Sequence, residues 1–230
     1  MTAPPAWRET RAAVLRASAG VGVATGAYGL SFGALGTASG LSVTQTCALS
    51  VLTFSGGSQF ALIGVLGSGG SAASGAASAL LLGARNMLYG VRLAPLLRLR
   101  GPARAVGAQL VIDESTAVAL AHEDRGERAG RLGFWATGLA VFVLWNLTTL
   151  VGALAGSAIG DPRDLGLDAA VPAAFIALLW PRLGSRTARV VAAVAVVAAL
   201  AVVPFVPAGV PVLVAGAVGV GVGLAGTRPR

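Results

Sequence analysis

The 230-residue sequence has no lysine, one cysteine, one histidine and few charged side chains, 11% in all. A soluble domain carries about a quarter of its residues as charges, so this composition excludes an ordinary water-soluble globule. The lone Cys47 excludes an intramolecular disulfide and, in its apolar stretch, reads as a small buried thiol. There is no HExxH, paired cysteine or histidine cluster to suggest a metal. There is no GxxxxGK[ST] loop for ATP hydrolysis and no serine–histidine arrangement for a protease. Nothing in the sequence points to an enzyme, a metal or a cofactor.

What is present is apolar: 55% hydrophobic residues and a mean hydropathy of +0.79. The 68 residues from Ala17 to Ala84 carry no charged side chain. As one helix that run would be roughly 100 Å long, against about 30 Å of bilayer hydrocarbon, so it must fold back and cross about three times. The net charge of +8 comes from arginine in short clusters: Arg8, Arg11 and Arg16; Arg98, Arg100 and Arg104; Arg125, Arg128 and Arg131; Arg182, Arg186 and Arg189; Arg228 and Arg230. Clusters at span ends match positive-inside anchoring and not a nucleic-acid surface, which needs a basic face on a soluble domain. The N-terminal apolar region outruns the ~7–15 residues of a signal-peptide core. It reads as a retained span, preceded by a short interfacial helix from Trp7 to Arg16.

The sequence therefore predicts an all-α polytopic membrane protein of a single transporter domain, residues 1–230, with about seven helices (between about six and eight) across the bilayer. Spans are expected at Ser18–Ala38, Val43–Leu66, Ala72–Leu97, Gly133–Ala158, Ala169–Trp180, Val190–Val203 and Val210–Ala225. Ala105–Ala121, 17 residues long, either crosses or is re-entrant. In the first span Gly22, Gly26, Gly29, Gly33, Gly36 and Gly40 recur every three or four residues, so one helical face is bare of side chains and calls for a tightly pressed neighbour. Gly33-Ala34-Leu35 recurs as Gly152-Ala153-Leu154, and Phe60-Ala61-Leu62 resembles Phe175-Ile176-Ala177-Leu178. The offsets are 119 and 115 residues, compatible either with repeat halves at 17–121 and 132–226 or with shared low complexity. Orientation stays open. If Ala105–Ala121 crosses, Arg98–Arg104 lies outside; if it does not, the N-terminal arginines do.

Few polar groups lie within the apolar sequence. Gly56-Gly57-Ser58-Gln59 interrupts the second span. Paired glycines weaken a helix by up to about 1 kcal/mol each, and a broken helix presents N–H groups to an anion such as a carboxylate. A helix-packing notch is the alternative. Arg85 lies about fourteen residues into its span, where a charge costs roughly 2.5–3.5 kcal/mol and needs a partner. Asn86 follows it, and Tyr89 shares its face. Asp113 and Glu114 are the only acids within an apolar segment. Neighbours on a helix project about 100° apart, so one acid can pair with Arg85 while the other meets substrate or carries a proton. The alternatives are a structural ion pair for Arg85 and an interfacial helix end for the acids. Asn146 reads as helix glue, and His122 as a solvated loop residue.

Phe54-Ser55-Gly56-Gly57-Ser58-Gln59-Phe60 resembles the aromatic-x-Gly-Ala-Ser-Gln-Phe signature of the AzlC family of branched-chain amino-acid exporters. Gly83-Ala84-Arg85-Asn86-Met87-Leu88-Tyr89-Gly90 is similar to that family's Arg-His/Asn-x-Leu-Tyr-Gly motif, and Ile112-Asp113-Glu114 to its Thr-Asp-Glu segment. Two positions depart: Gly83 stands where many members have Asn or Asp, and Ile112 where they have Thr. The resemblance implies a multi-pass protein of the cytoplasmic membrane that exports valine, leucine and isoleucine, driven by protons, with a small AzlD-type membrane subunit as partner. Since the few polar groups within the apolar sequence come in opposite signs, as a zwitterion requires, the residues themselves point to substrate contacts at Gly56, Gly57, Ser58, Gln59, Arg85, Asn86 and Tyr89, and to ammonium binding or proton coupling at Asp113 and Glu114. A channel or ion carrier, or a non-transporting scaffold, are the other classes compatible with these residues.

Overall fold

A computed structural model describes residues 7–158, 176, 179–180, 183–207 and 209–226. Every regular element among them is helical: α1 (Trp7–Ala38), α2 (Val43–Leu52), α3 (Gly57–Gly67), α4 (Ala72–Leu97), α5 (Pro102–Gln109), α6 (Asp113–Ala121), α7 (Glu127–Ala158), α8 (Arg186–Val202) and α9 (Val210–Gly226), with short 3-10 turns at Glu123–Arg125 and Val203–Phe205. Most of the span expected at Ala169–Trp180, and residues 159–168 before it, lie outside the described residues. Of the described residues, 7–37, 41–55 and 84–158 form one compact unit; 38–40, 56–83 and the rest from 176 on form a second.

The first unit is built on α1 and α7, each 32 residues long. The glycine stripe of α1 meets α7 as its spacing requires. A side chain on Gly22 would strike Ala140, on Gly26 Leu144, on Gly29 the Trp145 carbonyl, and on Gly33 the Thr149 carbonyl. Partner numbers rise together, so the helices run parallel. The contact is reciprocal: Gly152 of α7 meets the Leu30 carbonyl as Gly33 meets that of Thr149, and the two glycines, like the two carbonyl residues, are 119 positions apart. Thr137 Oγ1 donates to Ser18 Oγ at 2.9 Å, and Thr148 Oγ1 lies 2.5 Å from Gly26 O. In lipid, where hydrophobic drive between helices is absent, such backbone contact and cross-helix bonding holds a pair together. The interfacial helix expected at Trp7–Arg16 is not separate: α1 is unbroken from Trp7, whose ring sits 4.0 Å from the Arg128 guanidinium at the start of α7.

Segment 98–122 leaves and returns at one end of α7. Arg131 Nε donates to Leu96 O at 2.7 Å, and Arg98 pairs with Glu127 at 2.7 Å. From there α5 leads inward until Leu110 lies on Gly138; α6 then runs back past Gly133 and Gly130. Between Gly138 and Gly130 the segment turns back along eight residues of α7, about 12 Å, so α5 and α6 are two short helices that return to the end they left and not one continuous helix. Its non-helical tip, Leu110–Ile112, is buried. Ser115 Oγ accepts from Ile112 N at 3.1 Å and donates to Leu110 O at 2.6 Å, satisfying backbone that water does not reach.

The span expected at Val43–Leu66 also fails to run through. α2 lies against the far half of the α1–α7 pair: Thr46 faces Gly36, Ser50 Oγ donates to Thr149 Oγ1 at 3.3 Å, and Phe54 stands edge-on to Phe142 at 5.1 Å. The helix then stops. In the second unit, Gly67 at the end of α3 packs on Ser39, immediately after α1, so residues 39–67 begin and end at the same place. The arginine clusters at 8–16, 98–104 and 125–131 all belong to the end of the first unit where α1 and α7 start.

Among the described residues, two helices pass as membrane spans by length and composition, α7 and Arg186–Phe205; a full set of seven crossings is not established. Within the second unit, Gly75 of α4 meets Leu62 and Val65 of α3, and Gly216 of α9 meets Leu81.

Candidate functional site

Both interrupted segments bring their breaks to the middle of α7. Phe54 is level with Phe142 and Leu110 with Gly138. Gln109 Nε2, at the end of α5, donates to Val51 O of α2 at 2.7 Å. The charged groups of the apolar sequence gather there. Arg85 Nε donates to Asp113 Oδ1 at 3.1 Å, with the two side chains 26% and 24% exposed. Arg85 Nη2 also reaches Ser55 O at 3.4 Å, on the stretch of chain that follows α2. Asp113 is thus the acid that pairs with Arg85.

Glu114 turns elsewhere. Its Oε1 accepts from Thr25 Oγ1 of α1 at 3.5 Å, and no cation lies within ion-pair distance of it among the described residues. Thr25 escaped the sequence reading, since one hydroxyl in a helix of Gly, Ala, Ser and Thr carries no signal. The division between the two acids follows from helical geometry, because adjacent side chains cannot face one partner. Asn86 and Tyr89 are half-buried beside Arg85 on α4; Asn86 Oδ1 is enclosed without a hydrogen bond. Asn146 does not glue helices through its amide N–H, which goes to Phe142 O of its own helix at 2.8 Å. His122 Nδ1 sits 2.9 Å from Val118 O, at the end of α6.

Gly56, Gly57, Ser58 and Gln59 lie in the second unit and form the head of α3. Gly56 has φ +57° and ψ −87°, a conformation open to glycine and strained for any residue with a Cβ. Gln59 folds back so that its Oε1 accepts from Gly56 N at 3.2 Å. Ser58 faces α4 at Gly83, two residues before Arg85.

Chemically, the first unit supplies one balanced ion pair and one extra carboxyl at mid-helix depth, and the second a helix start in a stretch, residues 56–83, without charged side chains. No curated protein and no solved structure matches this chain. A family described as AzlC protein does match, over residues 20–159. That range is more than half of the sequence, running from the glycine stripe of α1 through both breaks, Arg85, Asp113 and Glu114 to the end of α7, and on it the chain belongs to the AzlC family.

Proposed function

We propose that this chain is the large subunit of a secondary transporter that exports branched-chain amino acids across the cytoplasmic membrane in exchange for protons, with a small AzlD-type subunit. The AzlC family is known for branched-chain amino-acid transport, which supports the substrate class. The observation that carries the mechanism is the contrast between Arg85–Asp113, a satisfied pair, and Glu114, a carboxyl with a hydroxyl neighbour and no cation within ion-pair distance among the described residues. A zwitterion needs groups of both signs, and a lone carboxyl at that depth is neutralised either by a proton or by an ammonium. Competition of the two for Glu114 gives exchange: the proton arrives from one face of the membrane, leaves to the other, and the carboxylate is regenerated in each cycle.

In this reading the arginine-rich end of α1 and α7 faces the cytoplasm. The segment 98–122 then dips in from the cytoplasmic side and 39–67 from the opposite side. Asn86 and Tyr89 would line the substrate's path beside Arg85.

The test uses inside-out vesicles containing the full chain and the small subunit. Labelled leucine accumulates in the wild type when the interior is acid, and collapse of the gradient abolishes accumulation. Glu114→Gln carries leucine-for-leucine exchange but no longer accumulates it against a gradient. Proton-coupled accumulation by Glu114→Gln equal to wild type would defeat the role given to Glu114.

A further inference from the structure

We propose that the head of α3, with the Ser58 hydroxyl, is the subsite for the substrate's α-carboxylate, and that Arg85 is not; this rests on the transport reading above and refines it. Arg85 is already engaged, by Asp113 at 3.1 Å and by Ser55 O at 3.4 Å, so a carboxylate arriving there competes with a resident anion. Ser58 is the opposite case. The residue is 5% exposed, and its hydroxyl has no hydrogen-bond partner among the described residues. A buried hydroxyl left without a partner costs about 1–3 kcal/mol, so its retention calls for a partner that arrives.

The surroundings specify that partner. α3 is 11 residues long, and the N–H groups of Gly57 and Ser58 stand in its first turn, where a helix has no carbonyl of its own to receive them. Gly56 N is closed off by Gln59 Oε1, and Phe60 N by Gly56 O at 3.1 Å. Residues 56–83 carry no charged side chain, so within this stretch the positive end of α3 is the source of potential, beside an Arg85 guanidinium that already donates to Ser55 O. Across from it α4 offers Gly83. Apart from α4's own backbone, the one atom within 4 Å of where its Cβ would sit is Ser58 Oγ, at 3.1 Å. The hydroxyl therefore points toward space that a side chain at 83 would occupy. A donor hydroxyl, the first-turn N–H groups of Gly57 and Ser58 and a helix N-terminus, with no acid in residues 56–83, recognise a small monoanion, and in an amino acid that is the carboxylate.

The experiment measures leucine counterflow in proteoliposomes bearing the full chain and small subunit, with two competitors. 4-Methylpentanoate keeps leucine's carboxylate and side chain without the amine; leucinamide keeps the amine without the carboxylate. 4-Methylpentanoate inhibits the wild type and leucinamide does not. Ser58→Ala raises the leucine half-saturation concentration about tenfold, the worth of one hydrogen bond to a charged group, and weakens 4-methylpentanoate equally. Gly83→Ala, a substitution that favours helix and so folds, crowds the hydroxyl and acts in the same direction. Equal inhibition by leucinamide and 4-methylpentanoate, or wild-type half-saturation in both variants, overturns the subsite. Thermal stabilisation of the purified chain by 4-methylpentanoate and not by leucinamide reads the same subsite without transport. A wild type that is stabilised in this way yet moves no leucine refutes the transport reading alone.

Discussion

Gly33→Ala tests the seam between α1 and α7. The added methyl would overlap the carbonyl of Thr149 and the nitrogen of Ala153, both backbone atoms that cannot rotate aside. Carbon contacts settle near 3.5–4.0 Å, so the helices must part by on the order of 1 Å. Overpacking of this kind costs about 1–3 kcal/mol, and the upper end applies where backbone meets backbone. Alanine returns up to about 1 kcal/mol through helix propensity. The net loss is then about 2 kcal/mol. Gly90→Ala, with nothing within 4 Å of the new methyl, carries only the propensity gain. The two variants differ by about 3 kcal/mol, or about 6–12 °C in midpoint at about 2–4 °C per kcal/mol. Thermal melts in mild detergent followed by tryptophan fluorescence are suited to the comparison, since Trp145 is buried in this seam against Phe32. Because Gly152 meets Leu30 as Gly33 meets Thr149, the first separation relieves the second clash, and Gly33→Ala/Gly152→Ala loses less than the sum of the single variants. A Gly33→Ala protein that melts with Gly90→Ala, or strictly additive losses, refutes the argument.

Two further outcomes follow from the same geometry. Removing one member of the Arg85–Asp113 pair strands a partly buried charge, at about 3–5 kcal/mol, so Arg85→Ala and Asp113→Ala each sharply reduce the amount of folded protein in membranes, while Arg85→Ala/Asp113→Ala recovers part of it; a double variant worse than both singles contradicts the pairing. In a Cys47→Ala background, cysteines at Arg8, Arg100 and Arg125 label from one side of the membrane and a cysteine at Ser68 from the other; labelling of positions 8 and 100 from opposite sides refutes the re-entrant paths.

A tightly pressed neighbour for α1 was legible in the sequence because glycines at helical spacing leave only backbone to touch; Gly22, Gly26, Gly29 and Gly33 meet α7, Gly36 meets Thr46 of α2, and Gly40 meets nothing within 4 Å. The partner demanded by Arg85 was legible for a similar reason: a guanidinium in apolar sequence requires an anion, and only two were near. The paths of the chain were not. An apolar run of about twenty residues serves a crossing or a hairpin that returns, and hydropathy is blind to the difference. For 39–67 the deciding feature is the backbone at Gly56, with φ +57°. For 98–122 it is Ser115, whose hydroxyl closes the tip at Ile112 and Leu110. Neither has a signature beyond a small or polar residue. The choice between Asp113 and Glu114 needed Thr25, 89 positions away in the chain.

The bonds Ser18–Thr137 and Gly26–Thr148 fasten α1 to α7 at two heights, with main chain against main chain beyond them. Sliding of one rod along the other would break both fasteners and drive methyl-free notches onto bulkier rungs. In the transport cycle proposed above, this couple therefore moves as one strut.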